Sequence, residues 1–216
     1  MRFLVARLIC ASLTAALRHG ESINLLTEVF GADFLRDCEF LSPDHTSLAT
    51  VCTLQSDGTL SVAGKPMGYL QTKRSYKNYR LSLDWRWTGK TGNSGVLLHI
   101  ATGPLDRNLW PRCLQVQLKH AQAGDLLPMA GARFNEPLPN RPAGSSAQLS
   151  HFAADSERRV GAWNHCEIVC DGGHVEVSVN SVKQNRVTGC EPSEGHIGLQ
   201  LEGAPYEIRK AQIEEL

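Results

Sequence analysis

The sequence has no excess of charge of either sign and no hydrophobic run long enough to cross a membrane. Its 216 residues carry 22 Lys and Arg against 22 Asp and Glu, which leaves a formal net charge of zero. Nucleic-acid-binding proteins usually neutralise phosphates with a basic surface, so this balance argues against such a partner. A membrane span needs about 20 consecutive apolar residues, and no run approaches that length. We therefore expect neither a nucleic-acid partner nor a membrane span.

The sequence also lacks the cysteine and histidine spacings of common metal and redox sites. It has seven cysteines, but none forms a Cys-x-x-Cys pair or a zinc-ribbon spacing. Six of them lie beyond residue 20, and this even number permits disulfides if the chain is exported. Buried free thiols are the alternative. These six residues are Cys38, Cys52, Cys113, Cys166, Cys170 and Cys190.

The N-terminus, MRFLVARLICASLTAALRHGES, has the parts of an export signal. Arg2 and Arg7 precede an apolar stretch that runs from Leu8 to Leu17. We predict a signal over residues 1–20, a single domain over residues 21–216, and a secreted or periplasmic protein. Arg18 and His19 stand where a cleavage site would have small residues, and an ordinary N-terminal helix is the alternative.

Helical periodicity is almost absent beyond residue 35, and a period of two replaces it. The segments YRLSLDWRW (79–87), LQVQL (114–118), HVEVSVN (174–180) and IGLQLEG (197–203) alternate apolar and polar side chains. This alternation is typical of half-buried strands. Glycine-rich turns separate the segments, so the sequence predicts an all-β, antiparallel β-sandwich or barrel.

A long stretch, residues 120–161, is rich in Pro, Gly, Ala and Ser and shows no alternation. Loops of this length within a compact domain are usually functional or disordered. We predict a loop that folds over one end of the sheet, with a role as a lid; an insertion without a function is the alternative.

The strands carry amide, histidine and arginine side chains on their polar sides, with few lysines. In GNSGVLLHI (92–100), strict alternation places Val96, Leu98 and Ile100 on one side and Asn93, Leu97 and His99 on the other. If the strands are neighbours, the polar side chains share one face. Such donors and acceptors suit a hydroxyl-rich ligand, although polar outer faces are also ordinary in sandwiches. The set comprises Arg80, Asp84, Arg86, Asn93, His99, Gln115, Gln117, Gln200 and Glu202, with His120 at the end of its strand.

Trp110 and Trp163 lie near the edges of this predicted face. Either ring is suited to stacking on a sugar, and a purely structural role is the alternative.

The order of several motifs resembles the 3-keto-disaccharide hydrolase domain family over roughly residues 55–216. The motifs are YLQTKRSYKNYRLSLDWRW, GNSGVLLHI, WPRCLQVQLKH, GDLL, WNHCEIVC and GHIGLQLEGAPYEIRKAQI. The resemblance implies a concanavalin A-like jelly roll, a concave sheet that holds a sugar, hydrolysis of 3-keto-glycosides, and frequent export.

The resemblance covers the amide positions of the site but not its charged ones. Asn93, Gln117 and Gln200 match the family pattern. The family typically has Arg, Glu, Asp and His at four other positions. This chain has His99, Gln115, His120 and Glu202 there, in the same order.

Cleavage of a 3-keto-glycoside needs a base, an electrophile for the enolate oxygen and an acid for the leaving group. It does not need the carboxylate pair of ordinary glycosidases. We expect His99 or His120 to act as the base, with Glu202 sharing or orienting it. The same three residues are a candidate ligand set for a divalent metal. Substrate contacts are expected from Asn93, Gln115, Gln117, Gln200, Asp84 and Arg86.

Two other functions fit the same residues. A non-catalytic, lectin-like carbohydrate-binding module would keep the groove without the chemistry. A structural surface domain would need neither. Acid–base partners must reach one substrate, so the enzymatic hypothesis predicts that His99, His120 and Glu202 lie close together.

Overall fold

The computed structural model describes residues 27–140, 142 and 144–216, and this part of the chain is almost entirely β-structure. Two short helices, α1 (Phe34–Asp37) and α2 (Leu48–Val51), precede most of the strands. The strands are β1 (Thr27–Glu28), β2 (Cys38–Leu41), β3 (Cys52–Leu54), β4 (Leu60–Val62), β5 (Gly68–Tyr76), β6 (Tyr79–Trp87), β7 (Gly95–Asp106), β8 (Trp110–Gln117), β9 (Leu126–Met129), β10 (Asn164–Asp171), β11 (His174–Val179), β12 (Val182–Val187), β13 (Gly195–Leu201) and β14 (Tyr206–Glu215).

The strands form two antiparallel sheets that pack face to face. The eight-stranded sheet has the order β12-β11-β10-β6-β14-β4-β3, with β1 also paired to β14. The six-stranded sheet has the order β2-β5-β13-β7-β8-β9. One cluster of buried side chains draws on both sheets and forms the core between them. The predicted antiparallel β-sandwich is therefore confirmed.

The alternation in the sequence explains which side chains enter the core. In β6, Leu81, Leu83 and Trp85 are fully buried between the sheets. In β13, Ile197 and Leu199 do the same from the other sheet, which leaves Gln200 on its outer face. Burial of such side chains is the dominant stabilising contribution in a sandwich of this kind.

The outer face of the six-stranded sheet is covered rather than freely solvated. A second cluster of buried apolar side chains lies there, and amide side chains adjoin it. A sheet face that is buried at one end and polar at the other is suited to hold a ligand. The cluster consists of Tyr69, Leu97, Ile100, Trp110, Cys113, Leu127 and Met129.

A β-bulge at His99 overturns the predicted alternation of β7. Between Leu97 and Ile100 this strand has one residue more than either neighbour. His99 adopts a left-handed backbone with φ of 53°, and its ring meets the ring of Tyr79 edge-on at 5.5 Å between centroids. Tyr79 belongs to the opposite sheet, so His99 points into the sandwich and is 1% exposed. Ile100, predicted to face the core with Leu98, lies on the outer face instead, because a bulge reverses the parity of the residues that follow it.

The Pro- and Gly-rich segment 120–161 is partly built into the sheet. It supplies β9, which pairs with β8 and forms one edge of the six-stranded sheet. Leu149 makes a further bridge back to Leu126. The segment is thus not only the predicted loop, since it contributes an edge strand to the sheet, and its role as a lid stays a prediction.

The six cysteines beyond residue 20 are free and buried. Burial raises the pKa of their thiols, to about 12 for Cys38, Cys52, Cys166, Cys170 and Cys190. The thiols therefore stay protonated at neutral pH. Of the two alternatives for these cysteines, the structure contains the free thiols.

Within the described part of the chain, no helix has the length and apolar character to cross a membrane. The predicted signal over residues 1–20 lies outside the described residues. Export therefore stays a prediction.

Candidate functional site

A cavity of about 230 Å³ opens on the outer face of the six-stranded sheet. Strands β8 and β13 supply its floor, the β7–β8 hairpin supplies one wall, and the segment before Leu149 supplies another. It is lined by Asn93, Asp106, Arg107, Trp110, Gln115, Gln117, Lys119, Gln122, Leu127, Met129, Ser146, Gln148, Gln200 and Glu202.

A continuous chain of hydrogen bonds joins five of the residues predicted to form the site. Nδ2 of Asn93 and Nε2 of Gln200 both donate to Oε2 of Glu202, at 2.7 and 2.8 Å. Nε2 of Gln115 donates to Oε1 of Gln200 at 2.9 Å and to Oε1 of Gln117 at 3.2 Å. These bonds fix the orientation of each amide, so the site is organised before any ligand arrives.

Gly95 allows this series of hydrogen bonds to cross strand β7. Gln115 on β8 reaches Gln200 on β13 although β7 lies between their strands. A Cβ atom at position 95 would lie 2.5 Å from Nε2 of Gln115, which is too close for any real contact. The last glycine of GNSG therefore makes room for a side chain that spans the strand.

Glu202 is a half-buried carboxylate whose pKa is raised by desolvation. Arg107 and Lys119 line the same cavity, and their charges oppose this effect by lowering the pKa. Both amide hydrogen bonds end on Oε2, and among the described residues no group donates to Oε1. A carboxylate with a raised pKa and one unengaged oxygen is suited to accept a proton.

The side-chain oxygen of Asn93 is buried and has no hydrogen-bond partner among the described residues. Buried polar atoms are nearly always paired, so an unpaired acceptor in a cavity indicates a site for a donor. A sugar hydroxyl is a donor of this kind.

The segment that closes one side of the cavity is fastened by Asp125. Its buried carboxylate accepts hydrogen bonds from Nε2 of Gln148 and from the backbone amide and Nδ1 of His151. This arrangement holds Gln148 and Ser146 against the cavity. Neither residue was predicted from the sequence, because the segment shows no alternation from which a side chain's direction could be inferred.

The β7–β8 hairpin brings Asp106, Arg107 and Trp110 into the cavity. Arg107 and Asn108 both have positive φ values, 51° and 57°, as a tight hairpin turn requires. Trp110 lines the cavity and also belongs to the buried apolar cluster, so both of its predicted roles stay predictions. The charged residues of this hairpin were not predicted, because Gly103 and Pro104 interrupt the pattern that would have shown how far β7 extends.

The two histidines predicted as bases do not lie in the cavity. His99 donates from Nε2 to the carbonyl of Lys77 at 3.2 Å inside the sandwich, and burial lowers its pKa. His120 donates from Nδ1 to Oε2 of Glu157 at 2.9 Å. Glu157, whose side chain is 1% exposed, also accepts from Nε1 of Trp87. Both residues thus have structural partners.

The predicted metal ligand set of His99, His120 and Glu202 is not assembled, because His99 points into the core. In the described ranges, no group of three His, Cys, Asp or Glu side chains is placed to hold a metal ion. The predicted set was wrong because it assumed an unbroken alternation through residue 99.

Asp84 and Arg86, predicted as substrate contacts, lie on the eight-stranded sheet instead. Asp84 pairs with His165 and Arg209, at 2.9 and 3.0 Å. Arg86 pairs with a glutamate on β14 and stacks over the ring of Trp163 at 4.4 Å. The polar side chains of this strand do alternate with apolar ones, as predicted, but the strand belongs to the eight-stranded sheet. Trp163 lies beside Arg86 and not beside the cavity.

Residues 41–214 match the family model described as a 3-keto-alpha-glucoside-1,2-lyase-like domain. Comparison with curated proteins gave no match.

Solved structures share the fold. A candidate glycosyl hydrolase from Parabacteroides distasonis has 19% sequence identity and a TM-score of 0.63, over 89% of this chain and 100% of that chain. A second candidate glycosyl hydrolase from the same organism has 17% identity and a TM-score of 0.56, over 84% and 89%. The carbohydrate-binding module CBM66 from Bacillus subtilis has 12% identity and a TM-score of 0.54, over 88% and 94%. At these identities the likeness establishes the fold, and the predicted concanavalin A-like jelly roll is confirmed.

Proposed function

The chain belongs to the 3-keto-alpha-glucoside-1,2-lyase-like domain family, which is carbohydrate-active, and on that premise we propose that it cleaves 3-keto-glycosides with Glu202 as the base. The observation that carries the proposal is the carboxylate of Glu202 within the amide chain. It is half-buried, its pKa is raised, and Oε1 has no donor among the described residues. The histidines expected to act as bases are engaged elsewhere.

The reaction begins at the carbon next to the ketone, whose hydrogen the carbonyl acidifies. Oε1 of Glu202 takes this proton, and the electron pair forms an enolate. The enolate then re-forms the ketone as the glycosidic carbon–oxygen bond breaks, which leaves a carbon–carbon double bond in the sugar. The departing oxygen takes up the proton that Glu202 holds, which restores the carboxylate, and water then adds across the double bond to give the free keto-sugar.

The charged and amide residues of the cavity have separate tasks in this route. Arg107 and Lys119 stabilise the negative charge of the enolate oxygen, as fixed cationic donors do in enzymes of this general type. Gln115, Gln117 and Gln200 hold the sugar hydroxyls and keep the ring in place. Asn93 offers its unpaired oxygen to a hydroxyl donor.

The test is an assay of the purified protein on a 3-keto-glucoside with a chromogenic leaving group. Glu202→Gln is expected to lower kcat by about 100-fold or more while KM changes little, because the amide keeps the hydrogen bonds but cannot take the proton. Glu167→Gln, an exposed carboxylate on the other sheet, is the matched control and should leave the rate unchanged. Equal rates for Glu202→Gln and the unmodified protein would remove Glu202 from the mechanism.

A non-catalytic carbohydrate-binding module is the second candidate. It is favoured by one observation: amides are the most frequent side chains in the cavity lining, six of fourteen residues, and the lining contains neither predicted histidine. Sugar binding without turnover of any 3-keto-glycoside would establish this function in place of the first.

A further inference from the structure

A second hollow lies on the same face of the six-stranded sheet, beside the cavity described above. Its volume is about 230 Å³. Apolar side chains, among them Tyr69, Ile100, Leu105 and Pro111, line it together with three polar ones, Gln71, Thr102 and His196. No step of the proposed reaction uses it.

Strand register shows that the two hollows adjoin. Tyr69 on β5 is the direct partner of Gln200 on β13, so the two side chains are neighbours on one face. His196 lies four residues before Gln200 on the same strand, a separation of about 13 Å at 3.3 Å per residue. One ligand with a sugar at Gln200 and a second ring beyond it would span both hollows.

Gln71, which lines the second hollow, has an acceptor atom for which the described residues supply no donor. Gln71 is 9% exposed, and its Nε2 donates to Oε1 of Glu39 at 2.8 Å. Its own Oε1 is buried and has no partner in the part of the chain that the structure describes. An unpaired buried acceptor beside an open hollow is suited to a hydroxyl donor on a ligand.

The apolar side chains of the lining indicate which chemical group of the ligand would occupy the hollow. Leu105 is 51% exposed at the rim although it is a large apolar residue, and Tyr69 and Ile100 belong to the apolar cluster beneath. A second sugar could stack on Tyr69 alone, whereas a flat apolar ring would also cover Ile100 and Leu105 without setting hydroxyl groups against them.

We infer that this hollow is the subsite for the leaving group, and that it takes a planar, apolar ring that bears a hydroxyl group, such as a phenol. This inference rests on the proposed function for the position of the sugar. The ring would lie against Tyr69, Ile100 and Leu105, and its hydroxyl would donate to Oε1 of Gln71.

The experiment compares the dissociation constants of three unoxidised β-glucosides by titration calorimetry: methyl, 4-methoxyphenyl and 4-hydroxyphenyl. The ring is expected to tighten binding roughly 2- to 12-fold over the methyl group. The free hydroxyl is expected to add a similar factor over the methoxy group. Leu105→Ser should remove the first gain and Gln71→Leu the second. Leu35→Ser, a leucine of similar exposure (54%) that does not line the hollow, should remove neither.

Free hydroquinone, followed by ligand-observed NMR, separates this inference from the proposed function. If hydroquinone binds and Leu105→Ser weakens it, the subsite stands even where no 3-keto-glycoside is turned over. If 3-keto-glycosides are cleaved but the three glucosides bind equally, the subsite is wrong and the proposed function stands. Unchanged hydroquinone binding in Leu105→Ser would also overturn the subsite.

Discussion

Nε2 of Gln115 donates to Oε1 of Gln200 at 2.9 Å, across a strand that separates the two residues in the sheet. This bond connects the two glutamines of β8 to Gln200, and Gln200 in turn donates to the carboxylate of Glu202. It depends on the missing side chain at Gly95.

Gly95→Ala is expected to break this bridge without unfolding the sandwich. The new methyl group would press on the Gln115 side chain, and overpacking of this kind costs about 1–3 kcal/mol. We expect sugar affinity to fall and the denaturation midpoint to drop modestly, as measured by calorimetry and chemical unfolding. Gly89→Ala is the control, since a Cβ there would meet nothing within 4 Å. Full sugar affinity in Gly95→Ala would show that the bridge is not needed.

Glu202→Gln is expected to stabilise the protein at neutral pH. Desolvation raises the pKa of Glu202 above 4.5, so the fold favours its protonated form. That stabilisation is fully present below the unfolded-state pKa and is lost as pH rises through the folded-state pKa. The neutral amide avoids this loss. Unfolding experiments should therefore give a gain over the unmodified protein at about pH 7 and a smaller one at about pH 4. A gain of equal size at both values would mean that burial of the charge is not its source.

The rate of cleavage should increase as pH rises, whereas the stabilisation from protonated Glu202 decreases. The base acts as the carboxylate, so kcat/KM should rise with pH through the pKa of Glu202 in the free enzyme. The midpoint of this rise is expected above the ordinary value of 4.5, because burial raises the pKa. A pH–rate profile of the unmodified protein measures it, and an acid limb at or below the ordinary value would assign the base to another group.

Asp125→Asn is expected to act on substrate binding rather than on chemistry. Its carboxylate fastens Gln148 and His151, and an amide cannot accept all of these hydrogen bonds. KM should rise several-fold with kcat nearly unchanged, and limited proteolysis near His151 should become faster. Glu136→Gln is the control. The carboxylate of Glu136 accepts hydrogen bonds from the backbone amide and the hydroxyl of Thr188, and Glu136 does not line the cavity. A fall in kcat with constant KM would instead assign Asp125 a part in the reaction.

His99→Asn is expected to affect stability and leave the chemistry alone. Asparagine tolerates the left-handed backbone at this position, but it loses the contact with the Tyr79 ring. We expect a loss of about 1–3 kcal/mol in unfolding free energy, and kcat/KM per folded molecule within about twofold of the original. A collapse of kcat in a fully folded variant would return His99 to the list of catalytic candidates.

The sequence predicted the sandwich and the amide side of the cavity because both depend on simple alternation. Gln115 and Gln117 are two residues apart on one strand, so their shared face follows from strand geometry alone. The same alternation added Asn93 and Gln200, and both match the pattern of the family that the sequence resembles.

The remaining site residues depended on information that alternation does not contain. A period of two does not reveal which sheet a strand joins, and for that reason Asp84 and Arg86 were placed on the wrong sheet. It also gives no warning of an inserted residue, which moved His99 into the core. Gln148 lies in an irregular segment, where only tertiary contacts such as the one with Asp125 set its direction.

The bulge in β7 has a consequence for comparing this chain with its relatives. Residues before and after His99 follow opposite parity, so Leu97 and Ile100 share a face although an odd number of positions separates them. A relative without the inserted residue, aligned here without a gap, would have Ile100 and Ala101 matched to the wrong surface. Ligand-binding positions transferred between such proteins need an offset of one from His99 to Ala101, after which β7 has a second register shift against β8.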